Sequence, residues 1–362
     1  MRLFKCTHCG QVLYFENSKC EKCDYILGFS DQALQLTPLI KSDNDAYKIY
    51  GDNSENLYRY CKNHEYNVCN WLVPSKDENS FCTACRLNRT IPDLSKDEYR
   101  QQWTMIERAK HRLVYSLLKM KLPLQSKTVD PKNGLSFDFL ADEKKEGQPK
   151  VLTGHSEGLI TINIAEADDI AREMARKAMD EVYRTVLGHF RHEVGHYYWD
   201  RLIDNTPYLE QCRELFGDDR KDYGEALKEH YEKGSPPDWA EHFISAYSTM
   251  HPWEDWAETW AHYLHIIDTL ETASSFGVSI HPKIADSSSS IINADIRVDP
   301  CNVENFSEII RLWLPLTFAL NSLNRSMGLR DLYPFVISSK VTDKLSFIHT
   351  VCYETKQKNI LV

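Results

Sequence analysis

The sequence predicts an α+β fold that is mainly helical and divided into two parts. Eight of the eleven cysteines lie within the first 85 residues, which indicates a small cysteine-rich module ahead of a larger domain. Residues 158–164 alternate in the way a half-buried strand does, and after residue 166 apolar residues mostly recur at helical spacing. A chain of 362 residues is long enough for two domains with a sizeable core.

Charge is distributed unevenly along the chain. The formal net charge of −10 argues against a general nucleic-acid binder. Residues 1–120 hold 17 Lys and Arg against 15 Asp and Glu, a net of +2, whereas the remainder holds 26 against 38, a net of −12. Since neither a signal segment nor an apolar run of membrane-spanning length is visible, we expect a cytoplasmic protein with no membrane partner.

The first cysteine cluster predicts a zinc ribbon in residues 1–30. Two C-x2-C pairs supply its four thiolates, which are Cys6, Cys9, Cys20 and Cys23. Each pair can contribute two ligands to one tetrahedral zinc ion, with short strands between and after the pairs. Because so short a segment has few apolar residues, the bound metal would supply its folding free energy.

A second cysteine cluster follows residues 31–60, which the turn signals predict to be irregular. Its expected zinc ligands are Cys61, Cys69, Cys82 and Cys85. His64 stands three residues after Cys61 and is an alternative ligand. The two clusters together predict a tandem zinc-ribbon module over residues 1–94 that holds two structural zinc ions.

A helix over residues 95–124 is expected to link this module to a second domain, residues 125–362. Ser95 and Glu98 have the spacing of a capping box ahead of an amphipathic run. In the second domain, strands are predicted at 135–140 and 158–164, followed by a helical segment from 166 to about 203. Further helices are expected at about 221–232, 238–248, 253–271, 304–326 and 339–354.

The sequence His-Glu-Val-Gly-His lies inside the predicted helix that ends near residue 203. His192 and His196 are four residues apart and share one helix face, where two imidazoles can bind one zinc ion. Glu193 then lies where it can accept a proton from a zinc-activated water. This pattern is typical of metal-dependent peptide hydrolases.

A later predicted helix offers the third protein ligand that such a zinc ion needs. Glu254 and Glu258 share one face of this helix among tryptophans and alanines, where unpaired carboxylates would be costly. One carboxylate would bind the metal, and the other would orient a ligating histidine from one turn away. His262 extends the polar side of the same helix.

With these motifs the chain resembles the gluzincins, which combine HExxH with a later helical Glu. Among them it is similar to the zinc-binding metallopeptidase family that carries an N-terminal zinc ribbon. The resemblance extends over nearly the whole chain and depends on residues 6–9, 69–73, 81–93, 190–198 and 251–258. It implies a zinc-ribbon module followed by a zincin-like metallopeptidase domain, with two structural zinc ions and one catalytic zinc ion.

The resemblance also implies roles for individual residues. His192, His196 and Glu254 match the zinc ligands, and Glu193 matches the general base. Glu258 matches the carboxylate that orients a ligand, and it becomes the third ligand itself if the helix register differs.

Two further features follow from the same resemblance. In similar gluzincins a Tyr seven residues before the ligand Glu stabilises the oxyanion, and Tyr247 stands at that spacing, with His262 as the rival donor. The strand around residues 159–164 resembles the edge strand on which such enzymes align an extended substrate.

Two functions fit the sequence. The first is a zinc-dependent endopeptidase that acts on a peptide or protein substrate, which the ribbons help to recognise. The alternative is a weakly active or inactive scaffold whose ribbons bind nucleic acid or a protein partner. Glu193 favours the endopeptidase, because a scaffold needs metal ligands but no base. Basic residues favour a binding role for the first part of the chain, and these are Arg86, Arg89, Arg108, Lys110 and Arg112.

Overall fold

The computed structural model describes residues 2–43, 45–142, 151–168, 172, 174, 185–283 and 292–360. Helices and strands are both well represented in this part of the chain, which confirms the α+β class. The chain forms two compact units. The first comprises Met1–Lys119 and Pro123–Ala178, and the second comprises Met120–Leu122 and Met179–Val362.

The first unit contains a small hairpin and a five-stranded antiparallel sheet. The hairpin pairs β1 (Phe4–Lys5) with β2 (Val12–Leu13). The sheet runs in chain order through β3 (Leu27–Ser30), β4 (Gln35–Lys41), β5 (Tyr47–Ile49), β6 (Tyr58–Tyr60) and β7 (Leu72–Pro74). Leu39, Tyr58 and Leu72 form a buried cluster on this sheet.

The prediction that residues 31–60 are irregular was wrong, because they supply β4, β5 and β6. The turn signals that led to it do lie in the connections between these strands. The strands themselves are short, and Pro38 interrupts the apolar pattern of β4. Strand signals of this length are therefore easily outweighed by the neighbouring turn residues.

A second sheet of the first unit has the order β10-β11-β9-β8. Its strands are β8 (Asn88–Thr90), β9 (Ser136–Leu140), β10 (Gly154–Ser156) and β11 (Leu159–Asn163). The buried Ile160 and Ile162 confirm the predicted inner face of β11. However, β11 pairs with β10 on one side and with β9 on the other. The prediction of an edge strand there was therefore wrong, and β10 lies at that edge of the described sheet.

One long helix, α1 (Asp97–Lys119), belongs to the first unit. It buries Trp103, Ile106, Leu113 and Leu117, which recur at helical spacing. The Ser95 hydroxyl donates to the Asp93 carboxylate over 2.7 Å, within the turn that precedes the helix. The strands β9, β10 and β11 also lie in this unit, whereas the predicted boundary near residue 125 would place them in the same domain as the HExxH sequence.

The second unit is built from helices and a small hairpin. Its helices are α2 (Val186–Leu202), α3 (Leu209–Phe216), α4 (Tyr223–Lys233), α5 (Trp239–His242), α6 (Pro252–Phe276), α7 (Phe306–Ser326) and α8 (Ser339–Ile360). The hairpin pairs β12 (Ser279–Ile280) with β13 (Ala294–Asp295). None of the described helices is long and apolar enough to cross a membrane.

One predicted helix differs from the structure, and another is described only in part. Within the predicted segment 166–203, residues 169–184 lie outside the described part of the chain except for 172 and 174, and the described helix α2 begins at Val186. The predicted helix at 238–248 is broken into the short α5 and a 3-10 turn at Tyr247–Thr249. This break places Tyr247 just ahead of α6.

Close packing of α2 against α6 positions the HExxH residues. A Cβ atom on Gly195 would lie 3.0 Å from Ala257 Cα and 3.2 Å from Ala257 O, tighter than most side chains allow. The Trp256 indole donates to the Gly195 carbonyl over 2.9 Å. Two small residues at the crossing therefore bring the histidines of α2 next to the carboxylates of α6.

Candidate metal centres

The structure brings His192, His196 and Glu254 together at the crossing of α2 and α6. The two Nε2 atoms lie 3.2 Å apart. His192 Nε2 lies 3.0 Å from Glu254 Oε2, and His196 Nε2 lies 3.5 Å from Glu254 Oε1. These three residues form a group whose ligand atoms are close enough to hold one metal ion.

The spacing of these atoms fits a zinc ion. Zinc bonds to nitrogen and oxygen are about 2.0–2.1 Å long, so neighbouring ligands on a tetrahedron are about 3.3 Å apart. The three distances of 3.0 to 3.5 Å lie around that value. In addition, Glu254 Oε2 is buried, and its one polar neighbour among the described residues is His192 Nε2 at 3.0 Å. A buried carboxylate oxygen of this kind is costly unless a cation binds it.

Glu258 lies on the other side of the His192 ring. His192 Nδ1 donates to Glu258 Oε1 over 2.7 Å, and the Ser245 hydroxyl donates to Glu258 Oε2 over 2.7 Å. A metal ion binds the neutral ring, which carries one proton; this hydrogen bond would keep that proton on Nδ1 and leave the Nε2 lone pair for the ion. The contact is the one that commonly orients a metal-binding histidine.

The electrostatics of the centre favour positive charge between the carboxylates. Burial disfavours an ionised His192, but its hydrogen bonds to Glu254 and Glu258 hold the pKa of the ring well above its usual range. Burial likewise disfavours an ionised Glu254, but His196 and His192 hold the pKa of this carboxyl well below its usual range. Against the same effect of burial, His192 lowers the pKa of Glu258 to about 2. A divalent cation would supply the charge that this site stabilises.

Glu193 and Tyr247 lie beside this group. Glu193 is 8% exposed on α2, and its carboxylate has no hydrogen bond among the described residues. The Tyr247 ring centroid lies 6.2 Å from that of His192. Burial, together with the charge of Glu254, raises the pKa of the Tyr247 phenol well above its usual range. The phenol therefore keeps its proton and remains a hydrogen-bond donor.

Two residues that sequence reasoning missed contact the same centre. The Tyr223 hydroxyl, at the start of α4, donates to Glu254 Oε1 over 3.0 Å. Ser245, in the connection before Tyr247, binds Glu258. No motif contains either residue, and Tyr223 precedes Glu254 by 31 positions. The polar character of the segment before α6 was the only available signal.

His262 lies further along α6 and does not join the metal-binding group. Its Nδ1 is 2.8 Å from the Tyr333 hydroxyl, and its ring packs on Phe335 at 4.3 Å between centroids. Burial lowers the pKa of His262 to about 4, although the nearby Glu258 acts in the opposite direction. His262 is therefore a buried, neutral side chain held by Tyr333 and Phe335.

The first cysteine cluster has the geometry of a zinc site. Cys6 Sγ lies 3.7 Å from Cys23 Sγ, and Cys9 Sγ lies 3.6 Å from Cys20 Sγ. Zinc–sulfur bonds of about 2.3 Å place sulfurs on a tetrahedron about 3.8 Å apart. A disulfide would instead bring two sulfurs to about 2.05 Å. The four thiols are therefore arranged as ligands of one ion, and a zinc ion fits them.

The second cysteine cluster is arranged in the same way. Cys69 Sγ lies 3.7 Å from Cys82 Sγ, and Cys61 and Cys85 complete a buried group of four. Backbone amides donate to the sulfurs, as from Cys82 N to Cys61 Sγ over 3.3 Å. The alternative ligand His64 is absent from this group and stacks on Tyr60 instead, with its Nδ1 2.8 Å from the Cys69 carbonyl oxygen.

Buried polar residues of α1 border the second cluster. His111 Nε2 lies 3.6 Å from Cys85 Sγ, while His111 Nδ1 donates to the Glu107 carbonyl over 2.6 Å. The ammonium of Lys110 is completely buried and pairs with Glu107 over 2.9 Å. These groups place compensating charge beside the thiolates, which reduces the cost of burying a cluster with negative charge.

The basic residues of the first unit are mostly paired within it. Arg86 binds Asp77, Arg89 binds Asp138, Lys110 binds Glu107 and Arg112 binds Glu16. Arg108, by contrast, is exposed. Trp71 and Trp103, aromatic side chains on which nucleic-acid bases could otherwise stack, are completely buried. The groups that suggested nucleic-acid binding therefore contribute mainly to ion pairs and to the core.

Comparisons with known proteins agree with both kinds of site. A family described as "Putative zinc-binding metallo-peptidase" matches residues 99–351, and a zinc-ribbon domain family matches residues 3–96. Similar proteins, themselves uncharacterized, occur in two strains of Mycobacterium tuberculosis and in Mycobacterium bovis. Each is 43% identical over 355 residues, which cover 98% of this chain and 96% of the relative. No solved structure matches the chain.

The family predicted from the sequence is thus confirmed. The first family spans most of the chain and includes the whole centre at the crossing of α2 and α6, while the second includes both cysteine clusters. The chain belongs to the family described as "Putative zinc-binding metallo-peptidase" and carries an N-terminal zinc ribbon.

Proposed function

We propose that the chain is a zinc-dependent endopeptidase of the gluzincin type, whose mainly helical, zincin-like catalytic domain includes the crossing of α2 and α6 in the second unit. One observation carries the proposal, which is the convergence of His192, His196 and Glu254 at ligand spacing. Glu193 follows the first of these histidines on the same helix, where its carboxylate can serve as a base.

The proposed chemistry divides the work among four side chains. A zinc ion held by His192, His196 and Glu254 would supply a Lewis acid and an activated water. Glu193 accepts a proton from the attacking water and then delivers it to the leaving amine. General acid–base help of this kind contributes roughly 10²- to 10⁴-fold in rate.

Two further residues support this reaction. Tyr247 donates a hydrogen bond to the oxyanion that develops on the peptide carbonyl, a role consistent with its retained proton. Glu258 keeps the proton of His192 on Nδ1, so that Nε2 remains available as a ligand. We assign no catalytic role to His262, since its ring binds Tyr333 and Phe335.

The two cysteine clusters would hold one structural zinc ion each, giving about three ions per chain. We propose that the ribbons, residues 1–94, recognise the substrate or a protein partner. The internal pairing of Arg86, Arg89, Lys110 and Arg112 favours a protein over a nucleic acid in this role.

Elemental analysis combined with hydrolysis of casein and of a random peptide library tests the proposal. Wild type is expected to hold about three zinc ions, and the variant with both His192→Ala and His196→Ala about two. Glu193→Gln is expected to keep all its zinc but to lose about 10³-fold in hydrolysis rate. Glu210→Gln, which alters an exposed carboxylate on α3, serves as the matched control.

Two results would contradict the proposal. If the double histidine variant retained all its zinc, the ion would lie elsewhere. If Glu193→Gln cleaved these substrates as fast as wild type, the base would be another group or the cleavage would come from a contaminating protease.

A further inference from the structure

We propose that Tyr223 is a positioning residue that orients Glu254 and joins α4 to the metal centre. The inference rests on the proposed function, because it requires a zinc ion held by Glu254. Neither the sequence motifs nor the family resemblance assigns a role to this tyrosine.

The Tyr223 hydroxyl contacts the carboxylate that faces the histidines. It donates to Glu254 Oε1 over 3.0 Å, and the same oxygen lies 3.5 Å from His196 Nε2. The Tyr223 ring lies 5.4 Å from the His251 ring and 6.3 Å from the Trp253 ring, at the first turn of α6. The tyrosine is therefore held on the metal-facing side of Glu254, where it limits rotation of the carboxylate.

The helix that carries Tyr223 is otherwise weakly attached. Within the described structure, α4 has no buried residue. Gly217 and Gly234 stand before and after it with φ of 103° and 72°, values that residues other than glycine rarely adopt. Its other contacts near the centre are polar, such as that between His230 Nδ1 and the Thr249 hydroxyl at 3.4 Å. Loss of the Tyr223 hydroxyl should therefore loosen this segment as well as Glu254.

The test compares Tyr223→Phe with Tyr231→Phe in the full-length protein. Both changes remove one hydroxyl from α4, but the Tyr231 side chain is 67% exposed and serves as the matched control. Zinc affinity of the centre is measured by chelator competition, and its ligand field by the absorption spectrum after Co²⁺ is substituted for zinc. Hydrogen exchange of residues 217–234 reports on the attachment of α4.

Tyr223→Phe is expected to weaken zinc binding about tenfold, as losses of ligand-orienting contacts commonly do. It should also shift the Co²⁺ absorption spectrum and speed hydrogen exchange in α4. The value of kcat should fall, with a smaller change in KM. Tyr231→Phe should match wild type in all these measurements. The inference is overturned if Tyr223→Phe binds zinc and exchanges like wild type, or if both variants change equally. Failure of the proposed function would differ, because the double histidine variant would then retain all its zinc.

Discussion

At the scale of single residues, the two nitrogens of His192 determine how the centre is arranged. Nδ1 lies 2.7 Å from Glu258 and Nε2 lies 3.0 Å from Glu254. Which carboxylate faces which nitrogen depends on the rotation of α6 about its own axis and on the position along that axis at which α6 contacts α2. A spacing of four residues gives both carboxylates the same face, so the sequence alone left both as candidate ligands.

Gly195 offers a direct test of the helix contact that sets this arrangement. Gly195→Ala would place a methyl group 3.0 Å from the backbone of Ala257, so α2 and α6 must separate. We expect a loss of about 1–3 kcal/mol in the free energy of unfolding, as for other overpacked sites, and weaker zinc binding at the centre. Chemical denaturation and zinc titration measure the two effects.

Gly224→Ala is the matched control for this change. Gly224 is an exposed position of α4, where an added Cβ would lie at an ordinary 3.4 Å from Asp222. Alanine is favoured over glycine in helices by roughly 1 kcal/mol, so this variant should be as stable as wild type or slightly more so. Equal stability of the two variants would show that the contact between α2 and α6 can accommodate a methyl group at residue 195.

At the scale of elements, α6 carries the proposed ligands and is braced from its far side by α8. Asp255, next to Glu254 but on another face, pairs with Lys344 of α8 over 2.6 Å, and both side chains are buried. Lys344 also donates to the His242 carbonyl over 2.8 Å. This ion pair ties α8 to the turn of α6 that bears the ligand.

Removing one member of this pair should be strongly destabilising. Lys344→Met leaves a buried carboxylate without its partner, and such losses commonly cost about 3–5 kcal/mol in the free energy of unfolding. Lys340→Met alters an exposed residue of the same helix and should have little effect. Urea denaturation of the two variants measures the difference, and a small cost for Lys344→Met would mean that Asp255 is uncharged in the folded protein.

The elements also show where sequence reasoning reaches its limit. The long helices α6, α7 and α8 were predicted because each buries a periodic apolar face. The short strands β4, β5 and β6 were missed, since each is stabilised by pairing with the adjacent strands of the sheet rather than by a clear apolar pattern of its own. Tyr223 was missed for a related reason, because its contact with Glu254 depends on how α4 packs rather than on any local pattern.

At the scale of the whole molecule, every candidate metal site lies within one unit. Both cysteine clusters belong to the first unit, and His192, His196 and Glu254 belong to the second. The cysteine pairs and the HExxH sequence were predictable because ligand spacing is local. The extent of each unit was not, since β9, β10 and β11 join the first unit through pairing with β8.

This separation predicts that metal removal affects the two units differently. After prolonged incubation with a strong chelator, backbone amides around residues 6–23 and 61–85 should exchange faster, because the thiolates lose the ion that holds them together. Amides in the middle of α6 should stay protected by the apolar packing of Trp256, Trp260 and Leu264, all completely buried. Hydrogen exchange followed by mass spectrometry measures both regions.

Restoring zinc provides the control for this experiment. Protection of the cysteine segments should return when zinc is added back, provided that the thiols are kept reduced. An equal rise in exchange throughout both units would mean that the second unit also depends on metal for its fold. No change in either unit would mean that the cysteine clusters are stable without an ion.

The two cysteine clusters and the proposed hydrolytic centre each draw their ligands from their own stretch of chain, namely residues 6–23, 61–85 and 192–254. Ribosomes synthesise the chain from its N-terminus, and domains fold as they emerge from the ribosome. Both cysteine clusters therefore become complete, and able to take up their ions, well before Glu254 and Glu258 have been added. A nascent chain cannot acquire the proposed hydrolytic centre until synthesis has passed these two residues. The order of the ligands along the sequence therefore sets the order in which the sites can bind metal during synthesis, with the zinc ion of the proposed hydrolytic centre last.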